Sequence, residues 1–284
     1  MLSLRRSFRV CKGLLHYLFL SPAPYLVALF LALFMWDRTF TLGEAARQYR
    51  LSIHAAGLYA VLVNNSLALI TMSFGLVFLL SDAPYLHENA IFEWARSDRK
   101  SWAAGRILYI AVVVLLYMLF IQLLICVLTW TLNFGPKWDK VLNTMSTGRS
   151  VNGVSIYVPG LLIAKYNPLQ AMGWTYLLLY LAWLALGLML FTFSSGIRRL
   201  LALSIVSVIV FLDYFIETMM PYRMYFFSPL SWAKLSIIGD DMNTYFPQIS
   251  YVLRVLPLLC LFFIISSMWI GIRQKRMLDN LCQL

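Results

Sequence analysis

Charge is what this chain has least of. Asp, Glu, Lys and Arg make up 12% of its 284 residues, against 61% apolar or aromatic residues. Mean hydropathy is +0.77. A soluble domain carries about 25% charged residues, so this chain has too little polar surface to cover a water-facing core. Catalytic and metal-binding motifs are missing too. The four cysteines, Cys11, Cys126, Cys260 and Cys282, show no C-x-x-C spacing, which argues against a zinc site or a disulfide framework. The three histidines, His16, His54 and His87, form no H-E-x-x-H. No Gly-Lys dipeptide occurs, so there is no phosphate-cradling P-loop. No G-x-S-x-G elbow for a nucleophilic serine is present either.

What is present is a set of long apolar runs. Six segments stand out, at 24–36, 55–80, 107–131, 169–193, 200–216 and 251–272. About 20 apolar residues cross the hydrocarbon core of a bilayer. Backbone in lipid must close its own hydrogen bonds, so these segments are expected to be helices. The expected fold is an all-α integral membrane protein with six spans in one domain covering residues 1–284. The first segment is short, and the "SPAP" at residues 21–24 is expected to interrupt any helix that reaches it from upstream.

The net charge of +11 does not point to nucleic acid, because the basic residues sit at the ends of apolar runs. With six spans, both termini share a side. That side holds 13 Lys and Arg against five acids, and the other holds 10 against seven. The bias, reinforced by the short "SSGIRRL" turn, places both termini in the cytoplasm. Residues 1–20 open with Arg5, Arg6, Arg9 and Lys12 before an apolar stretch, a pattern shared by signal peptides. On a helix, Leu4, Phe8, Cys11, Leu15 and Leu18 fall within about 80° of one another. Arg5, Arg9, Lys12 and His16 form the neighbouring stripe. Apolar sequence resumes directly after the prolines, so an amphipathic helix on the membrane surface is the expected reading.

Residues 133–168 and 218–250 are expected to be extracellular loops. The second is apolar but carries Pro221 and Pro229, so short helices re-entering the membrane before the last span are expected. Two polar features fall inside the spans. Asn64, Asn65 and Ser66 in the second would bridge helices or line a wet cavity. Asp213 in the fifth, with Glu217 at i+4, could form a proton or cation relay. Being near the outer end of its span, the pair could equally just reach water.

The most charged stretch of the chain is residues 82–102, "DAPYLHENAIFEWARSDRKSW", between the second and third apolar runs. No helix breaker occurs from Tyr85 to Arg96. Leu86, Ala90, Ile91 and Trp94 would form an apolar stripe, with Glu93 and Arg96 pairing at i+3. Aromatics with charges of both signs suit a groove on another protein.

The order of these elements, with the phrases "LLSDAPYLHENAIFEWARSDRKSWAAGRILYI" and "FFSPLSWAKL", resembles the permease subunit of a bacterial type-2 ABC transporter. The resemblance implies that residues 82–102 contain a cytoplasmic coupling helix that docks on a separate ATPase subunit. Leu86, His87, Glu88, Ile91, Phe92, Glu93 and Arg96 would make that contact. It implies a second permease copy, identical or not, with Asn64, Asn65, Asp213 and Glu217 as candidates to line the pathway. ATP and Mg2+ would belong to the partner, with no cofactor in this chain. The implied activity is ATP-driven export of an amphiphilic peptide, antimicrobial or lipid-like substrate across the bacterial plasma membrane. The alternative from another class is an ion-coupled carrier or membrane-embedded enzyme that uses Asp213 and Glu217.

Overall fold

The structure is a computed structural model. It describes residues 4–48, 51, 53–83, 98–129, 135, 137–147, 157–239 and 245–281. Among the described residues there are helices and no strands, and the only sheet-like pairing is an isolated bridge between Gly239 and Gln248. The helices are α1 (Leu4–Leu20), α2 (Ala23–Gln48), α3 (Ala55–Val63), α4 (Ser66–Leu79) and α5 (Arg99–Thr129). They continue with α6 (Lys140–Ser146), α7 (Gly160–Lys165), α8 (Pro168–Gly196), α9 (Arg199–Met219) and α10 (Ile249–Leu281). Two short 3-10 turns, Tyr222–Phe227 and Ser231–Ala233, stand between α9 and α10.

Among the described residues, five helices are long and apolar enough to cross a membrane: α2, α5, α8, α9 and α10. The α3–α4 pair makes a sixth crossing if the two are counted together. The first span is longer than its apolar core suggests, because α2 runs on through "DRTFTLGEAARQ" for 26 residues, about 39 Å. Ser21 and Pro22 separate it from α1, as the prolines led us to expect.

The second span departs from expectation. Residues 55–80 do not form one helix: the chain bends by 88° between α3 and α4. At 1.5 Å per residue the arms are about 14 and 21 Å long, so neither crosses about 30 Å of hydrocarbon alone. All nine residues of α3 are buried, so this arm lies inside the bundle.

At the centre is α8, the most enclosed of the five single-helix spans, while α2, α9 and α10 present most of their surface outward. Polar pins in the core fix helix registers. The Trp183 indole N–H of α8 donates to Ser73 Oγ of α4 at 2.9 Å. The Tyr117 hydroxyl of α5 donates to the Met72 carbonyl at 2.6 Å. The hydroxyls of Thr192 and Ser267 join α8 to α10 at 2.9 Å.

Helix α1 packs on the start of α5. A Cβ at Gly105 would sit 2.7 Å from Val10 Cβ and 2.8 Å from the Ser7 carbonyl, so only glycine permits this approach. The buried face of α1 is therefore Ser7, Val10, Cys11 and Leu14. That is rotated from the stripe expected from sequence. Leu4 and Phe8 point outward, 80% and 64% exposed, because the glycine seat takes Val10 instead.

Candidate functional site

The site is built on the break in the second span. Asn64 ends α3: its backbone N–H and its side-chain amide both donate to the Ala60 carbonyl, at 3.1 and 2.7 Å. Asn65 starts α4: it is extended, and its side-chain oxygen accepts from the Ala68 N–H at 3.1 Å. Two adjacent asparagines thus satisfy the backbone groups that a bend leaves open. The side-chain oxygen of Asn64 reaches further and accepts the backbone N–H of Ser236 at 2.7 Å.

Ser236 belongs to the connection between α9 and α10. Pro221 and Pro229 prevent that segment from continuing as a helix. It folds instead as 3-10 turns, with the Trp232 indole N–H donating to the Tyr225 carbonyl at 2.7 Å. This presses Leu230, Trp232, Ala233 and Leu235 into the core. The same turns carry Lys234 inward until it is 1% exposed.

Its ammonium lies 2.6 Å from Asp213 Oδ2 and 3.2 Å from Glu217 Oε2. It also donates to the hydroxyl of Ser66, the first residue of α4. The other oxygen of Asp213 accepts the Ser231 hydroxyl at 2.5 Å. One cation therefore joins three elements: α4, α9 and the connection after α9. Two carboxylates surround that one ammonium, so the cluster carries a net charge of −1 when all three are ionised. Tyr225 stands beside it. Burial raises the phenol's pKa, and the carboxylates of Glu217 and Asp213 raise it further, so this hydroxyl stays protonated.

Of the candidate residues, Asn64, Asp213 and Glu217 converge here, while Asn65 acts as a helix cap. One reading of Asp213 needs correction. It does not reach water: the residue is fully buried, because the turn that brings Lys234 inward covers it. Glu217, one turn further along α9, keeps 47% of its side chain exposed. Sequence reasoning missed Lys234 and Ser231. A signal was available in "FFSPLSWAKL": a lone lysine within an apolar stretch needs a buried acid as partner. Asp213 was the one acid clearly inside an apolar run.

A second cluster lies where α1, α4, α5 and the α8–α9 turn meet. Asp82, just after α4, pairs with Arg199 at the start of α9, at 2.7 Å. Asp98, just before α5, pairs with Arg6 of α1 at 2.9 Å. All four side chains are about half exposed. Arg5, Arg9 and Lys12 are exposed on the outer side of α1. On α5 the guanidinium of Arg106 is buried and stacks 3.4 Å from the Trp102 ring. Leu86, His87, Glu88, Ile91, Phe92, Glu93 and Arg96 lie outside the described residues.

No group of three or more His, Cys, Asp or Glu positioned to hold a metal occurs among the described residues. Comparison with protein-family models, with curated proteins and with solved structures returns no match for this chain.

Proposed function

We propose that this chain is the membrane subunit of an ATP-driven exporter in a bacterial plasma membrane. In this reading both termini are cytoplasmic, ATP is hydrolysed on a separate subunit, and two permease copies assemble around the pathway. The observation that carries the proposal is the pair of ion bridges at the ends of the 82–98 segment. Asp82 is tied to α9 and Asp98 to α1, at 2.7 and 2.9 Å. A partner pressing on the residues between them would pull on two different helices at once. Such a double tether is what a force-transmitting element needs. The sequence of the segment supplies the groove-fitting chemistry, with Phe92 and Trp94 among Glu88, Glu93 and Arg96. The substrate class, an amphiphilic peptide, antimicrobial or lipid-like compound, is supported by the family resemblance.

Purification in mild detergent of the chain co-expressed with an ATPase encoded beside it tests the proposal. A stoichiometric complex is expected, weakened by Glu93→Lys. Isolation of the chain alone would contradict it.

The buried acid favours a second reading, an ion-coupled carrier that uses Asp213 and Glu217. In this structure Asp213 is already neutralised by Lys234 at 2.6 Å, which leaves the exporter reading ahead. Asp213→Asn separates the two in vesicles. Loss of transport that persists without ATP and depends on an ion gradient would favour the carrier.

A further inference from the structure

At the corner where α1 turns into α2, a groove of about 420 Å³ opens between α1, α2, α4 and α5. Leu18, Phe19, Ala28, Leu79, Val113 and Tyr117 are among its walls. Several of these are core residues: Leu79 is 7%, Val113 2% and Tyr117 4% exposed. The groove is thus a recess into the bundle rather than a stretch of its outer surface.

Its chemistry is restrictive. The two hydroxyls that border it are already used, since Tyr117 donates to the Met72 carbonyl and Tyr25 to the Phe19 carbonyl. A polar ligand inside would find no free hydroxyl donor and only the oxygens of these two phenols as acceptors. Hydrocarbon fits.

The rim is charged. At 100° per residue, Lys12 projects within about 20° of Phe19 and lies about 10 Å back along the same helix. Arg9 and His16 flank it on the exposed face. A cationic stripe thus leads up to an apolar recess at membrane-surface depth.

We infer that this groove is a binding site for an anionic phospholipid. One acyl chain lies between α2 and α5, and the phosphate group rests on Arg9 and Lys12. The site is independent of the exporter reading, because it needs no partner and no transported substrate.

The test uses the full chain in nanodiscs of equimolar phosphatidylglycerol and phosphatidylcholine with matched oleoyl chains. It is followed by transfer to detergent and native mass spectrometry of retained lipid. Wild type is expected to keep one phosphatidylglycerol per chain in preference to phosphatidylcholine. Ala28→Phe fills the recess and should abolish retention. Arg9→Glu with Lys12→Glu should lower the ratio of the two lipids at least about fivefold, since each basic residue near the surface contributes about 1 kcal/mol toward anionic lipid. Leu261→Phe, on the outer face of α10, which contributes no wall to the groove, should change neither, and a matching melting temperature checks that the variants fold. Equal retention of both lipids by wild type would overturn the inference, as would undiminished retention by a folded Ala28→Phe.

Discussion

The chain uses the same interaction, an acid paired with a base, at two places and in opposite settings. At the break in the second span, Lys234 and Asp213 are 1% and 0% exposed. Below α1 and the α8–α9 turn, Arg6–Asp98 and Arg199–Asp82 are about half in solvent. Burial changes what each pair can do. Removing one partner of a buried pair strands the other charge in a low-dielectric core. A half-exposed pair is screened and contributes about 0–1 kcal/mol. The buried cluster therefore specifies one arrangement of α4, α9 and the connection to α10. The exposed pairs tether their segment to α1 and α9 while adding little to the stability of the fold.

The largest expected effect breaks the buried side of that comparison. Lys234→Ala should destabilise the protein by about 3–5 kcal/mol in detergent unfolding, by leaving Asp213 uncompensated. Lys234→Met combined with Asp213→Leu should recover most of that loss. If the double variant were as unstable as the single one, an ion pair would not be what the cluster supplies.

A second variant sharpens the contrast at the α1 seat. Gly105→Leu places a side chain where Val10 and Ser7 already stand, so α1 must lift from α5. A thiol at Cys11, buried here, should then become reactive toward a maleimide while the spans stay folded. Unchanged protection of Cys11 would show that α1 does not depend on that seat.

Asp139 offers a smaller effect with a pH signature. It caps α6, accepting from Leu142 N–H at 2.7 Å and from His54 N–H at 2.6 Å. Burial raises its carboxyl pKa, and the backbone hydrogen bonds offset this only in part. A carboxyl raised on folding adds stability at pH below its unfolded value, and that contribution is lost as pH rises through the folded value. Asp139→Ala should cost about 1 kcal/mol as a lost cap. Asp139→Asn keeps the cap, and should flatten the fall in melting temperature that accompanies the rise of pH through the folded value.

The smallest effect belongs to the exposed pairs. Arg6→Ala and Arg199→Ala should each change stability by less than about 1 kcal/mol, and by less still in high salt. A loss comparable to that of Lys234→Ala would erase the distinction between the two regions.

Much of the helical plan was legible in the sequence, because hydropathy and prolines report directly on lipid and on backbone. Four of the later apolar runs became α5, α8, α9 and α10, with six of the eight ends within three residues and with α5 starting eight residues earlier and α10 ending nine residues later than the apolar runs. The broken second span was harder. Asn64 and Asn65 were visible as polar residues in an apolar run, but capping and bridging use the same side chains. Only the position of Ser236 shows that Asn64 does both. Asp213 was visible too, while its partner lies 21 residues away in a non-helical stretch. No helical periodicity could have brought the two together. The rotated face of α1 had the same origin: a glycine on another helix decides it.

On the proposed reading, residues 82–102 receive work from a separate ATPase. The most direct measurement is ATP hydrolysis by that subunit when reconstituted with this chain, comparing wild type with Glu93→Lys. A reversed charge in a docking groove costs several kcal/mol, so stimulation should fall at least about tenfold, with the melting temperature of the membrane subunit unchanged. Equal stimulation by both proteins would contradict the account.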